Sequence, residues 1–102
     1  MPLFRSATPL LSAILATLLL AASCETAPPV QEMSEARQAI EAARVAGAEQ
    51  HAPESYRKAE SHLKTAEQLL NDRHFRKARE SAASARDEAI KAREAAQRAD
   101  ER

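Results

Sequence analysis

The last third of the chain carries small or apolar residues at steps of three and four in strict alternation, and this spacing constrains the fold most. The series is Phe75, Ala78, Ala82, Ala85, Ala89, Ala92, Ala96 and Ala99. The same rhythm joins Tyr56, Ala59, Leu63, Ala66 and Leu70, and before them Met33, Ala36, Ile40, Ala43 and Gly47. Because an average step of 3.5 residues keeps every member on one helix face, the pattern predicts helices with narrow, alanine-rich heptad seams.

Composition agrees with an all-α chain and excludes several classes of function. The sequence holds a single glycine, so it has no glycine-rich loop that could cradle a phosphate. Its 15 basic residues are balanced by 15 acidic ones, which leaves no overall charge that would favour nucleic acid. We therefore expect helices throughout, and no nucleic-acid partner.

The first predicted helix starts between Pro29 and Glu35. Ser34 is the expected N-cap, because a serine hydroxyl can accept a hydrogen bond from a free amide of the first turn. The helix is expected to continue to about Gln50.

A second helix is predicted from Pro53 to about Leu70, since proline suits the first helical position. Asn71 and Asp72 favour turns and should end this helix. The third helix then runs from near Arg73 to the C terminus. Short connections favour antiparallel neighbours, so we expect a small antiparallel three-helix bundle or helical hairpin with a long C-terminal helix.

The length of the third helix leads to a further expectation. It would have about 28 residues, whereas its two neighbours have roughly 18–20 each. Residues 92–102 should therefore be helical but lack an intramolecular partner. Such an overhang would leave part of the seam free for self-association or for a protein partner.

Residues 1–23 have the features of a secretory leader. A short basic start containing Arg5 precedes an apolar stretch over residues 10–22. As a helix that stretch would span roughly 20 Å, too short for a hydrocarbon layer of about 30 Å. We interpret residues 1–23 as a signal peptide.

Cys24, the only cysteine, directly follows Ala22 and Ser23. This arrangement resembles a bacterial lipobox, although Ala21 stands where leucine is usual. The resemblance implies cleavage between Ser23 and Cys24 and attachment of fatty acids, such as palmitate, to the cysteine. The alternative is an ordinary secretory leader cut near Ala22, which would leave a free thiol.

The resulting domain prediction has three parts: a lipoprotein signal peptide over residues 1–23, a lipidated tether over 24–30 and an alanine-rich helical domain over 31–102. Two adjacent prolines should keep the tether extended. Glu25 occupies the position where aspartate retains many lipoproteins in the inner membrane. By analogy with those lipoproteins, and for a Gram-negative source, we expect a lipid-anchored protein of the outer membrane that faces the periplasm.

The stretch from Met33 to Ala99 resembles a bacterial family of alanine-rich envelope lipoproteins known only as a domain of unknown function. The matching pieces are Ala36-x-x-x-Ile40-x-x-Ala43, Gly47-Ala48, Ala52-Pro53, Tyr56-x-x-Ala59-x-x-x-Leu63-x-x-Ala66 and Phe75-x-x-Ala78. The resemblance implies a domain that stands alone on a lipid anchor or precedes an OmpA-like domain.

Two further resemblances bear on function. The segment from Leu69 through Phe75 and Ala78 to Ala85 is similar to the turn and second helix of a tetratricopeptide repeat. The lipidated alanine-rich chain also resembles Braun-type lipoprotein. That protein is linked to peptidoglycan through a terminal lysine, whereas this sequence ends in Arg102, so no covalent link to peptidoglycan is expected.

Side chains that could support chemistry are sparse. His51, His62 and His74 lack the local spacing of metal ligands, and the serines have no partner pattern typical of a nucleophile. We expect no catalytic residue, no metal and no cofactor. The first functional hypothesis is a lipid-anchored periplasmic structural or adaptor protein that acts through helix–helix contacts. The alternative is a small tetratricopeptide-like binding module for a peptide or a cell-envelope polymer.

Overall fold

The computed structural model describes residues 27–102, and this part of the chain is helical with no strand. Four helices follow one another: α1 (Val30–Val45), α2 (Ala48–His51), α3 (Pro53–Asn71) and α4 (Phe75–Asp100). The all-α prediction with a long C-terminal helix is therefore confirmed. The predicted leader, the cleavage site at Ser23 and Cys24, and the first residues of the tether lie outside the described residues. None of the described helices is long and apolar enough to cross a bilayer.

The helices run up, down and up around two clusters of buried side chains. One cluster joins Met33 and Ala36 of α1 to α3 and α4 through Ala66, Ala82 and Ala85. The other joins Ala43 of α1 and Ala48 of α2 to Tyr56, Ala92 and Ala96. Helices α1 and α4 therefore run parallel to each other, and α3 runs antiparallel to both. Both α1 and α3 pack extensively on α4 and contact each other less.

The first helix starts at Val30, within the predicted interval between Pro29 and Glu35, but its cap differs from the predicted one. Its N-cap is Pro29, which is fully buried and whose carbonyl accepts the amide of Met33 at 3.0 Å. Ser34 lies inside α1, where its hydroxyl accepts a hydrogen bond from the Gln38 side chain at 3.3 Å. The prediction of Ser34 as N-cap is wrong, because the two prolines already fix the start of the helix.

Gly47 interrupts the first predicted helix, which does not continue to Gln50. The glycine has a φ of 86°, a left-handed conformation that costs other residues about 1–2 kcal/mol. Its amide donates to the carbonyl of Arg44 at 3.0 Å and closes the end of α1. Gly47 is therefore a turn residue and not a member of the seam, and the single-turn α2 that follows buries Ala48 in its place.

The turn between α3 and α4 follows the predicted break at Asn71 and Asp72. Arg73 adopts a φ of 62°, and its amide donates to Leu70 at 3.0 Å, while the amide of His74 donates to Leu69 at 2.8 Å. These two hydrogen bonds make the Schellman motif, which normally has glycine at the left-handed position. Here an arginine occupies it.

Candidate functional site

The predicted seam forms the interior of the bundle. Its members in α4 that are fully buried are Ala78, Ala82, Ala85, Ala89, Ala92 and Ala96, and Ala36, Ala43, Ala59, Ala66 and Tyr56 of the other two long helices are also buried. Leu63, Leu70 and Phe75 are partly buried, and Ala99 is exposed. Because the side chains at the helix contacts are mostly methyl groups, the backbones can approach closely, but few large side chains fill the core.

The expected overhang of α4 is wrong. Ala92 and Ala96 have no exposed surface, and they pack against Ala43, Ala48 and Tyr56. The short helix α2 packs on α4 beyond the end of α1, so residues of the same chain bury the α4 seam almost to its end. Exposure becomes continuous only from Gln97 onward. The seam is thus not an open docking surface, and the argument for self-association from a free helix end is lost.

Tyr56 anchors the end of the bundle at which α2 and α3 meet. Its side chain is 5% exposed, and burial raises the pKa of its hydroxyl to about 12, with the neighbouring carboxylates of Glu60 and Glu49 adding to the effect. A negative charge on this hydroxyl would be poorly solvated and would face other negative charges. The residue is therefore held as a neutral packing group.

Ion pairs between helices fix how α1 sits on its neighbours. Arg79 of α4 lies 3.1 Å from Glu32, and Arg86 of α4 lies 3.2 Å from Glu35. A third contact links Arg37 of α1 to Glu67 of α3 at 3.5 Å. The sequence pattern could not have found these pairs, because their partners are far apart along the chain and no helical spacing connects them.

Three large apolar side chains are exposed on the described part of the bundle, and polar residues separate them. Val30 and Val45, at the two ends of α1, are 72% and 73% exposed, and Ile90 of α4 is 38% exposed. A shallow surface depression beside Val45 is lined by Arg37, Gln38, Glu41, Ala42 and Val45. On its rim, the Arg44 guanidinium donates hydrogen bonds to Glu41 and lowers the pKa of that carboxyl. We refer to the side of α1 that carries Val30 and Val45 as the outer face of α1.

Chemistry-bearing side chains do not converge in the described part of the chain. Over residues 27–102, no three histidine, cysteine, aspartate or glutamate side chains lie close enough to hold a metal ion. His51 ends α2, His62 is partly buried in α3, and His74 precedes α4.

Comparison with curated proteins finds no match, and comparison with solved structures finds none either. A protein-family model does match, and it covers residues 31–102. This range includes every residue of the four helices except Val30, the first residue of α1. The chain therefore belongs to the family described as Domain of unknown function (DUF4398).

Proposed function

We propose that this chain is a lipid-anchored structural or adaptor protein of the bacterial envelope that acts through helix–helix contacts. The observation that carries the proposal is the outer face of α1. Its two valines are separated by 15 residues, or about 22 Å along the helix, and both are nearly three-quarters exposed. A partner helix lying along α1 would cover both, which is how amphipathic helices commonly dock.

The compartment follows from the resemblance of the first 24 residues to a lipoprotein leader. Acylation of Cys24 would attach the chain to a membrane with three fatty-acid chains, enough for permanent attachment. Glu25 favours the outer membrane and a periplasmic position in a Gram-negative cell. Replacing Cys24→Ser tests this part: fatty-acid labelling of the protein should disappear, and normal labelling of the variant would refute the anchor.

A tetratricopeptide-like module that grips a peptide or an envelope polymer is the second candidate. The antiparallel α3–α4 hairpin supports it, because one unit of such a repeat is also a helix–turn–helix pair. Against it, Tyr56 is used in the core, so one of the two aromatic side chains in the helices is not free to contact a ligand. The adaptor role is therefore the better supported of the two.

Site-specific crosslinking tests the adaptor role. A photo-reactive amino acid at Val45 should give a discrete crosslinked product in intact cells, either a dimer of this chain or one partner protein. The same amino acid at Lys58, which is exposed on α3, is the matched control and should give none. Val30→Glu should weaken the crosslink from position 45 without changing the melting temperature. Identical products from both positions would refute a specific role for α1.

A further inference from the structure

Exposed positive charge is concentrated at the end of the bundle where α3 turns into α4. Segment 71–79 contains four basic residues, and its single acid is Asp72. Arg73, Arg76 and Lys77 are exposed, and none of the three forms an ion pair within the described residues. We call these three side chains the basic end.

The basic end is present despite its local cost to folding. Arg73 occupies a left-handed position at which glycine would be unstrained. No side chain caps α4, and its first turn contains Arg76 and Lys77 but no acid, although the amino end of a helix is already positive. Three departures from the rules of helix ends fall within five residues, and two of them place positive charge at this end. Such clustered departures are typical of a surface with a function.

The chain enters the bundle beside this same end. Arg79, one turn into α4, donates a hydrogen bond to the carbonyl of Ala27 at 3.2 Å as well as pairing with Glu32. Pro29 is fully buried. Residues 27–29 are therefore docked on the bundle and do not act as a free spacer, and residues 24–26 of the predicted tether lie outside the described residues.

The docked entry limits how far the bundle can lie from a lipid on Cys24. Only Glu25 and Thr26 separate Cys24 from Ala27, so the three steps between them reach at most about 11 Å. That distance is close to the Debye length of about 8–10 Å at physiological ionic strength, so charges at this end would interact with a charged membrane surface.

We infer that the basic end binds the anionic lipid headgroups of the membrane that holds the anchor, and that the bundle stands on this end. This inference rests on the proposed lipid anchor. Lysine and arginine near an anionic surface each strengthen binding about five-fold, so the three cations together should contribute about a hundred-fold. The α2 end of the bundle, where Ala48 packs on Ala92 and Ala96 about 25 Å farther along α4, would then point away from the membrane.

The test uses the mature lipidated protein in vesicles and exploits the absence of tryptophan from the sequence. A single probe is introduced as Asn71→Trp at the basic end or as Gln50→Trp at the α2 end, and energy transfer to dansyl-labelled headgroups is measured. The vesicles contain either phosphatidylcholine alone or roughly two parts of it to one part phosphatidylglycerol. With phosphatidylglycerol, transfer from Asn71→Trp should be several-fold higher than from Gln50→Trp.

Variants separate charge from folding. Combining Arg73→Gln, Arg76→Gln and Lys77→Gln should reduce the difference between the probes on anionic vesicles to the difference seen on phosphatidylcholine alone, as should molar salt. The matched control neutralises three exposed cations at the other end of α4, Arg93, Arg98 and Arg102, and should preserve the difference. Arg73→Gly alone should lower transfer while raising the melting temperature, which a purely structural role cannot produce.

The outcomes distinguish this inference from the anchor on which it rests. If the protein fails to float with phosphatidylcholine vesicles, the lipid anchor is refuted. The basic end is then tested by flotation with the phosphatidylglycerol vesicles, which must be lost in the triple variant. If the protein floats but the difference between the two probes is no larger on anionic vesicles than on phosphatidylcholine, the anchor stands and the basic end is refuted.

Discussion

Placing a carboxylate at the buried end of the α4 seam gives the sharpest test of the bundle. Ala92 has no exposed surface and packs with Ala43 and Tyr56, two turns before the end of α4. In Ala92→Glu the longer side chain has no room in a contact built from methyl groups, and its charge has no partner in the cluster. Overpacking alone typically costs 1–3 kcal/mol, and burial of an unpaired polar group costs a similar amount.

The expected loss is about 3 kcal/mol, because the end of α4 can bend away from the core and relieve part of the strain. For a domain of this size, each kcal/mol lowers the melting temperature by about 4–8 °C, so the predicted fall is about 12–24 °C. Thermal unfolding of the purified mature protein, followed by circular dichroism at the helical band, measures it directly.

Ala99→Glu is the matched control, since it makes the same substitution on the same seam one turn beyond Ala96, at an exposed position. It shares the small loss of helix propensity and the unfavourable placement of an acid near a helix C terminus, and it should cost no more than about 0.5–1 kcal/mol. Equal melting temperatures for the two variants would refute internal packing of this end. They would restore the overhang that the sequence suggested.

Three further predictions concern single residues. Gly47→Ala should lower stability by about 1–2 kcal/mol in chemical denaturation, because its φ is left-handed and the new methyl group would lie 3.3 Å from the His51 ring; an unchanged midpoint would contradict the turn. Arg73→Gly should raise stability by about 0.5–1 kcal/mol, since it removes strain at a φ of 62°. Tyr56, the only tyrosine, should ionise near pH 12 in an ultraviolet absorbance titration of the folded protein. This pKa is raised above the value of about 10 in the unfolded chain, so the stability that the folded state gains from its neutral hydroxyl is complete below pH 10 and is lost between pH 10 and 12. Titration at pH 10 in the folded protein would contradict its burial.

The periodic spacing was enough to predict the helices and their order, because each seam needs a partner and short connections allow only antiparallel neighbours. It misled at Gly47, which matches the rhythm of the first helix by position. A glycine costs a helix interior about 0.5–1 kcal/mol relative to alanine but is unstrained in a left-handed turn, so Gly47 was itself a signal for the end of the first helix. Because the break at Gly47 was not predicted, α2 was not predicted either, and neither was the packing of Ala48 against Ala92 and Ala96.

Contacts between helices were the second gap. Within single helices, Glu54 contacts Lys58 at 3.6 Å and Glu88 contacts Lys91 at 3.5 Å. Such exposed pairs within one helix are weak and readily exchanged. The pairs that orient α1 on α4 depend on the register of two helices, and a repeating alanine seam does not specify that register.

The composition of the core also bears on where recognition can lie. Alanine methyl groups on all three long helices allow close packing but provide almost no shape that could select one partner over another. Specificity must therefore come from the larger and charged side chains outside the seam, and these are separated in space. Val45 lies at the end of α1 that leads to α2, whereas Arg76 lies at the opposite end of the bundle, near the entry of the chain. Because the two surfaces share no residue, a substitution in one should leave the other intact. Crosslinking from Val45 in the triple variant of the basic end can therefore decide whether partner binding depends on how the bundle is oriented on the membrane.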